Sequence, residues 1–91
     1  MREKRRLRLP DDVAERIRGL HPELKAKVRA GLSAILADPT TGKALKAELA
    51  GLFSLRVGRF RIIYRPRGEI IAVGPRRTIY EETWRRVKLR H

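Results

Sequence analysis

The chain contains no cysteine, which excludes a disulfide framework and a thiolate metal centre and accords with a reducing compartment. Aromatic residues are scarce, at two Phe, two Tyr and one Trp. The core must therefore rest on Leu, Ile, Val and Ala, and a base-reading surface of several exposed rings has little to draw on. No apolar run approaches the length that spans a bilayer, and the basic start MREKRRLRLP is not followed by the apolar stretch of a secretion signal. A soluble, cytoplasmic protein with no membrane partner is expected. Histidine is nearly absent too: His21 is expected at a helix start on the layer away from any site, and His91 is the last residue. That pattern argues against a histidine acid–base pair, and no metal-ligating cluster is apparent.

Positive charge is what the chain has in excess. Lys and Arg number 23 against 10 acidic residues, for a formal net charge of +13, and 17 of the 23 are Arg. Such a density repels itself unless a polyanion is near, leaving nucleic acid, an acidic protein or an anionic surface as partners. The planar guanidinium fork matches phosphate oxygens, so the arginine bias favours phosphate, although genome composition or heat adaptation also selects Arg over Lys. A hydrophobic fraction of 42% supports one core, and 91 residues leave no room for a second. Residues 1–91 are read as a single domain.

Leu7 and Leu9 alternate with Arg6 and Arg8, which predicts a short strand ending at Pro10. Val13, Ile17 and Leu20 then mark one helix, and after His21-Pro22 the positions Leu24, Val28, Leu32, Ile35 and Leu36 mark a second, ending before Pro39. Leu45, Leu49 and Leu52 suggest a short helical or irregular segment. The clearest local feature runs from Phe53 to Tyr64. With Gly58-Arg59 as a type II′ turn, Val57 faces Phe60, Leu55 faces Ile62 and Phe53 faces Tyr64 on one side. The other side then sets Arg56 opposite Arg61 and Ser54 opposite Ile63. Two arginines across a ladder repel each other, an arrangement tolerated most easily with an anion between them. Arg65-Pro66-Arg67-Gly68 reads as the next turn and Glu69 to Gly74 as a third strand. Thr78 and Glu81 have capping-box spacing, predicting a last helix from Thr78 to about Lys88. The expected order is β-α-α-β-β-β-α, an α+β fold of two layers with two N-terminal helices packed on a small, mainly antiparallel sheet.

The segments ALKAELAGLFSLRVGRFRIIY and EIIAVGPRRTIYEE, in this order of elements, resemble the RelE/ParE superfamily of bacterial and archaeal toxins from toxin–antitoxin pairs. LRVGRFRIIY is a superfamily signal shared by the ribonuclease branch and the branch acting on DNA gyrase. GPRRTIY leans toward the RelE branch, many of whose members carry G-H-R-R-x-V-Y there. The resemblance implies a type II toxin, a metal-independent endoribonuclease that cleaves mRNA on the ribosome without a cofactor and is held inactive by a cognate antitoxin. A gyrase inhibitor that performs no catalysis, or a module that only binds RNA or antitoxin, is the alternative. Residue by residue, Arg56 matches a basic position on the first hairpin strand, Arg61 the arginine of Y-R-[ILV]-[IV]-Y, Arg76 or Arg77 the basic residue after the last strand, and Tyr80 the closing tyrosine. Ser54 stands where the best-known members have a lysine beside the scissile phosphate, and Pro75 replaces the histidine of G-H-R-R.

RNA cleavage without a metal needs cations on the non-bridging phosphate oxygens and groups that move protons at the 2′ and 5′ oxygens. Arg61, Arg76 and Tyr80 are assigned to the chemistry, with Tyr80 moving a proton. Arg56, Arg59, Arg77 and Ser54 are assigned to phosphate binding. On the residues alone, Tyr80 is equally a core member of the helical stripe Tyr80, Trp84 and Val87, with Trp84 expected in the core. Arg65, Arg67 and the cluster Arg2, Lys4, Arg5 and Arg6 carry no motif and are read as general electrostatics or a basic arm.

Overall fold

The computed structural model describes residues 6–88, so most of the basic cluster at residues 2–6, and His91, lie outside the described residues. The helices are α1 (Asp11–Arg18), α2 (Pro22–Ala37) and α3 (Arg76–Lys88), and the strands are β1 (Lys43–Ala44), β2 (Phe53–Val57), β3 (Phe60–Arg65) and β4 (Glu69–Pro75). They form an α+β domain around one antiparallel sheet of order β1-β2-β3-β4. The observed order of elements is thus α-α-β-β-β-β-α. The expected first strand is reduced to one parallel bridge between Arg8 and Glu69, because Pro10, with no N–H to give, ends the extended run. Leu7 and Leu9 still turn inward against the core, as their alternation requires.

The hairpin register is the one its turn dictates: Phe53 pairs with Tyr64, Ser54 with Ile63, Leu55 with Ile62, Arg56 with Arg61 and Val57 with Phe60. Gly58 has φ 63°, whereas Arg59 keeps a negative φ, the combination a type II′ turn requires. Between Ile63 and Tyr64 the β3–β4 pairing slips by one residue, so Ile71 and Ala72 both join the same face.

Each face of the sheet carries its own core. On the first, Val13 and Ile17 of α1 and Val28 and Ile35 of α2 pack on Val57, Ile62, Tyr64, Ile70 and Val73. Helix α2 comes close because Gly31 faces the sheet; a Cβ there would stand 2.6 Å from Val57 Cγ1. On the second face Ile79 of α3 packs with Leu52, Ile63, Ile71 and Ala72. Gly74 opens room for that helix, since a Cβ there would lie 3.1 Å from Ile79 Cδ1.

Helix α3 also starts earlier than its capping-box spacing suggests. Strand β4 runs into it without a linker, Arg76 is the first helical residue, and Glu81 and Glu82 fall beyond the first turn. Beside β4, α1 and α3 are tied together by ion pairs. Arg16 Nη1 donates to the Val73 carbonyl at 2.8 Å and lies 3.5 Å from Glu82, while Arg86 pairs with both Asp12 and Glu82. The hydrogen bond from Arg86 holds the Asp12 carboxyl below its usual range. A carboxyl lowered on folding adds stability above its unfolded pKa, about 3.9, and loses it as pH falls through the folded value. Because Asp12 is largely exposed, that contribution is below about 1 kcal/mol. Between pH 5 and pH 2, the stability of Asp12→Asn, measured by urea denaturation, is therefore expected to fall less than that of the parent.

Candidate nucleic-acid interface

The hairpin's second face ends, toward its turn, in an open cleft of about 350 Å³. Arg56, Arg59 and Arg61 enter it from the hairpin, Arg76 and Arg77 from the start of α3, and Phe60, Gly58 and Pro75 complete its walls. All five arginines singled out in the sequence thus line one opening, with no carboxylate among the lining residues. Arg76 and Arg77 are the first two residues of α3, where the helix dipole is positive and cations are unfavourable without an anion. The Arg76 N–H is engaged by the Arg59 carbonyl at 3.1 Å, which fastens the helix start to the hairpin turn.

Arg61 differs from its neighbours in being partly buried. Its Nη1 donates to Ser54 Oγ at 3.3 Å, and its guanidinium carbon lies 6.0 Å from the centroid of the Tyr80 ring. Its Nε is buried with no partner among the described residues. A buried donor left unpaired costs about 1–3 kcal/mol, which makes Arg61 the most demanding group in the cleft. Ser54 Oγ also meets the Tyr80 hydroxyl at 3.2 Å. Ser54 is only 3% exposed, so its contacts go to Arg61 and Tyr80, and it orients both side chains.

Tyr80 is half-buried, with its ring against the second core, as the core reading expects, and its hydroxyl at Ser54. Trp84, in contrast, is 43% exposed and stands beside Lys88, with Nζ 5.9 Å from its ring, rather than in the core. The buried line of α3 runs through Ile79 and Thr83, which turns Trp84 outward. Arg65 pairs with Glu69 at 3.2 Å, outside the cleft. His21 stands at the start of α2 as expected and caps it, its Nδ1 accepting from the Glu23 N–H, a role its position alone did not reveal, but it lies near the hairpin turn rather than on a remote layer. No helix among the described residues is long and apolar enough to cross a membrane.

The fold is that of the RelE/ParE toxin superfamily. More narrowly, residues 3–80 match the family described as the ParE toxin of the type II toxin–antitoxin system parDE, and the chain belongs to that family. It is also similar to a chain in the crystal structure of the toxin–antitoxin complex RelBE2 from Mycobacterium tuberculosis, at 29% identity and a TM-score of 0.65, over 79% of this chain and 98% of that one. No curated protein sequence matches the chain.

Proposed function

We propose that this toxin is an endoribonuclease that cleaves mRNA on the ribosome. The observation that carries this reading is the chain of contacts Arg61–Ser54–Tyr80, whose first member lines the cleft of five arginines. A phosphodiester seated there meets cations on its non-bridging oxygens. The 2′-oxygen attacks phosphorus, the P–O5′ bond breaks, and the products are a 2′,3′-cyclic phosphate and a 5′-hydroxyl. Arg56 and Arg61 offset the charge that grows on the phosphoryl oxygens, with Arg76 and Arg77 behind them. Tyr80 gives its proton to the departing 5′-oxygen and regains one from water, while the 2′-hydroxyl proton passes to solvent. An acidic antitoxin segment lying over the arginines is the fitting protein partner, by charge and by likeness to the RelBE2 complex.

The match to ParE toxins favours a second reading, inhibition of DNA gyrase without catalysis. Mapping of mRNA ends in a ribosome-coupled translation reaction, beside a gyrase supercoiling assay on the same preparation, separates the two. Cleavage without loss of supercoiling is expected, and Tyr80→Phe is expected to slow cleavage by about 100-fold, within the usual range for a proton-transfer group. Full cleavage by Tyr80→Phe would remove Tyr80 from the mechanism; supercoiling loss without cleavage would establish the second reading.

A further inference from the structure

The five-arginine cleft has a neighbour. Across the β2–β3 turn a second opening, of about 510 Å³, lies between the turn and the first residues of α2. Its charged and polar lining is Lys27, Arg56 and Arg59 with His21 and Glu23, over Phe60. Arg56, Arg59 and Phe60 line both openings, so the two share the turn as a common wall. The Lys27 side chain leans across that wall, its Nζ 3.8 Å and its Cδ 3.6 Å from where a Cβ on Gly58 would stand.

We propose that this second opening is a phosphate-binding site, which takes a neighbouring phosphate of the RNA strand whose scissile phosphate sits in the first cleft. The inference rests on the ribonuclease reading for its ligand. Three observations support it. Three cations face a single carboxylate, so the opening attracts anions and repels metal ions. His21 Nδ1 accepts the Glu23 N–H at 3.2 Å, which places the proton of the neutral ring on Nε2. That nitrogen is a donor whether the ring is neutral or charged, so it suits an anion throughout the physiological pH range. Finally, the openings adjoin across a two-residue turn that itself carries Arg59, and a strand crossing it stays beside a cation. An acidic peptide is the competing occupant, and the comparison with hexaglutamate tests it.

Glu23 gives the site a testable sign. Its carboxylate opposes a phosphate in the second opening and is absent from the lining of the first. The full chain and its Lys27→Ala, Glu23→Gln and His21→Ser variants can be titrated with 2′-O-methyl hexauridylate, which cannot be cleaved, across a salt series. A 2′-O-methyl diuridylate with one phosphate, followed by NMR, and hexaglutamate serve as comparison ligands. Serine at position 21 retains a helix cap, and Lys27 and Glu23 are exposed, so the fold is expected to survive all three changes.

For the hexamer, Lys27→Ala and His21→Ser are expected to weaken binding several-fold and Glu23→Gln to tighten it. Lys27→Ala is also expected to reduce the slope of log K against log salt by about 0.7, the loss of one phosphate contact on a single strand. Affinity for the dinucleotide is expected to stay within twofold. Hexamer binding that is indifferent to all three variants would overturn the second site and leave the ribonuclease reading standing. Failure of the parent to bind the hexamer would overturn the second site, whereas the ribonuclease reading stands or falls by the mapping of mRNA ends on the ribosome. An effect of Lys27→Ala on hexaglutamate but not on hexauridylate would assign the opening to an acidic peptide instead.

Discussion

Arg61→Ala is expected to lower mRNA cleavage by about 100- to 1000-fold, the range typical for removing one preorganised stabiliser of transition-state charge, and to abolish growth arrest on expression. Arg61 is the partly buried arginine of the cleft, and a charge held away from water acts on a phosphoryl oxygen more strongly than one on a solvated side chain. It also reaches Ser54, and through Ser54 the hydroxyl of Tyr80, so its loss removes a charge and loosens the group proposed to transfer the proton together. Lysine at this position is not expected to restore the rate. A single ammonium cannot present the fixed fork of donors that places Nη1 on Ser54 while other N–H groups face the ligand. The same variant carries a second expectation of opposite sense. Because Arg61 faces Arg56 across the ladder and buries an unpartnered Nε, its removal is expected to leave the melting temperature unchanged or raise it by a few degrees. A large fall in melting temperature, or full cleavage, would mean that Arg61 serves the fold and not the chemistry.

One residue along the same strand the expectation reverses. Ile62→Ala is expected to cost about 2–5 kcal/mol, the range for removing a fully buried aliphatic side chain, with cleavage at permissive temperature largely retained. Ile62 points to the face opposite Arg61, has no exposed surface, and stands where α2 approaches the sheet most closely. Domains of this size have about 5–15 kcal/mol of stability in total, and each kcal/mol moves the melting point by about 4–8 °C. Thermal denaturation followed by circular dichroism is therefore expected to show a fall of 15 °C or so. Coupling to Gly31 checks the geometry. A Cβ at Gly31 would lie 3.0 Å from Ile62 Cδ1, so Gly31→Ala is expected to cost less in the Ile62→Ala background than alone. Strict additivity of the two changes would contradict that packing.

The hairpin was fully legible in the chain, because a glycine-led two-residue turn fixes register and strict alternation fixes the faces. Helices α1 and α2 were legible for a similar reason, each bounded by proline or glycine and carrying an apolar stripe. Strand β1 was not, since Lys43 and Ala44 are too short a run to alternate and pair only because β2 offers an edge. The start of α3 was misjudged because Thr78 and Glu81 mimic a cap, whereas the chain enters the helix straight from β4. Each arginine of the cleft could be picked out singly. Their convergence with α3, and the position of His21 beside the turn, depend on packing between elements distant in sequence, which local patterns do not encode.

The direct passage of β4 into α3 bears on how such a cleft is silenced. Strand and helix meet at Pro75 and Arg76, and the Arg76 N–H is bonded to the hairpin turn, so both walls are fastened to one rigid frame. Among the described residues no linker stands between β4 and α3. On the reading proposed above, this toxin is restrained only while its cleft is occupied, which makes restraint a matter of supply: something else must be made in sufficient quantity to fill it.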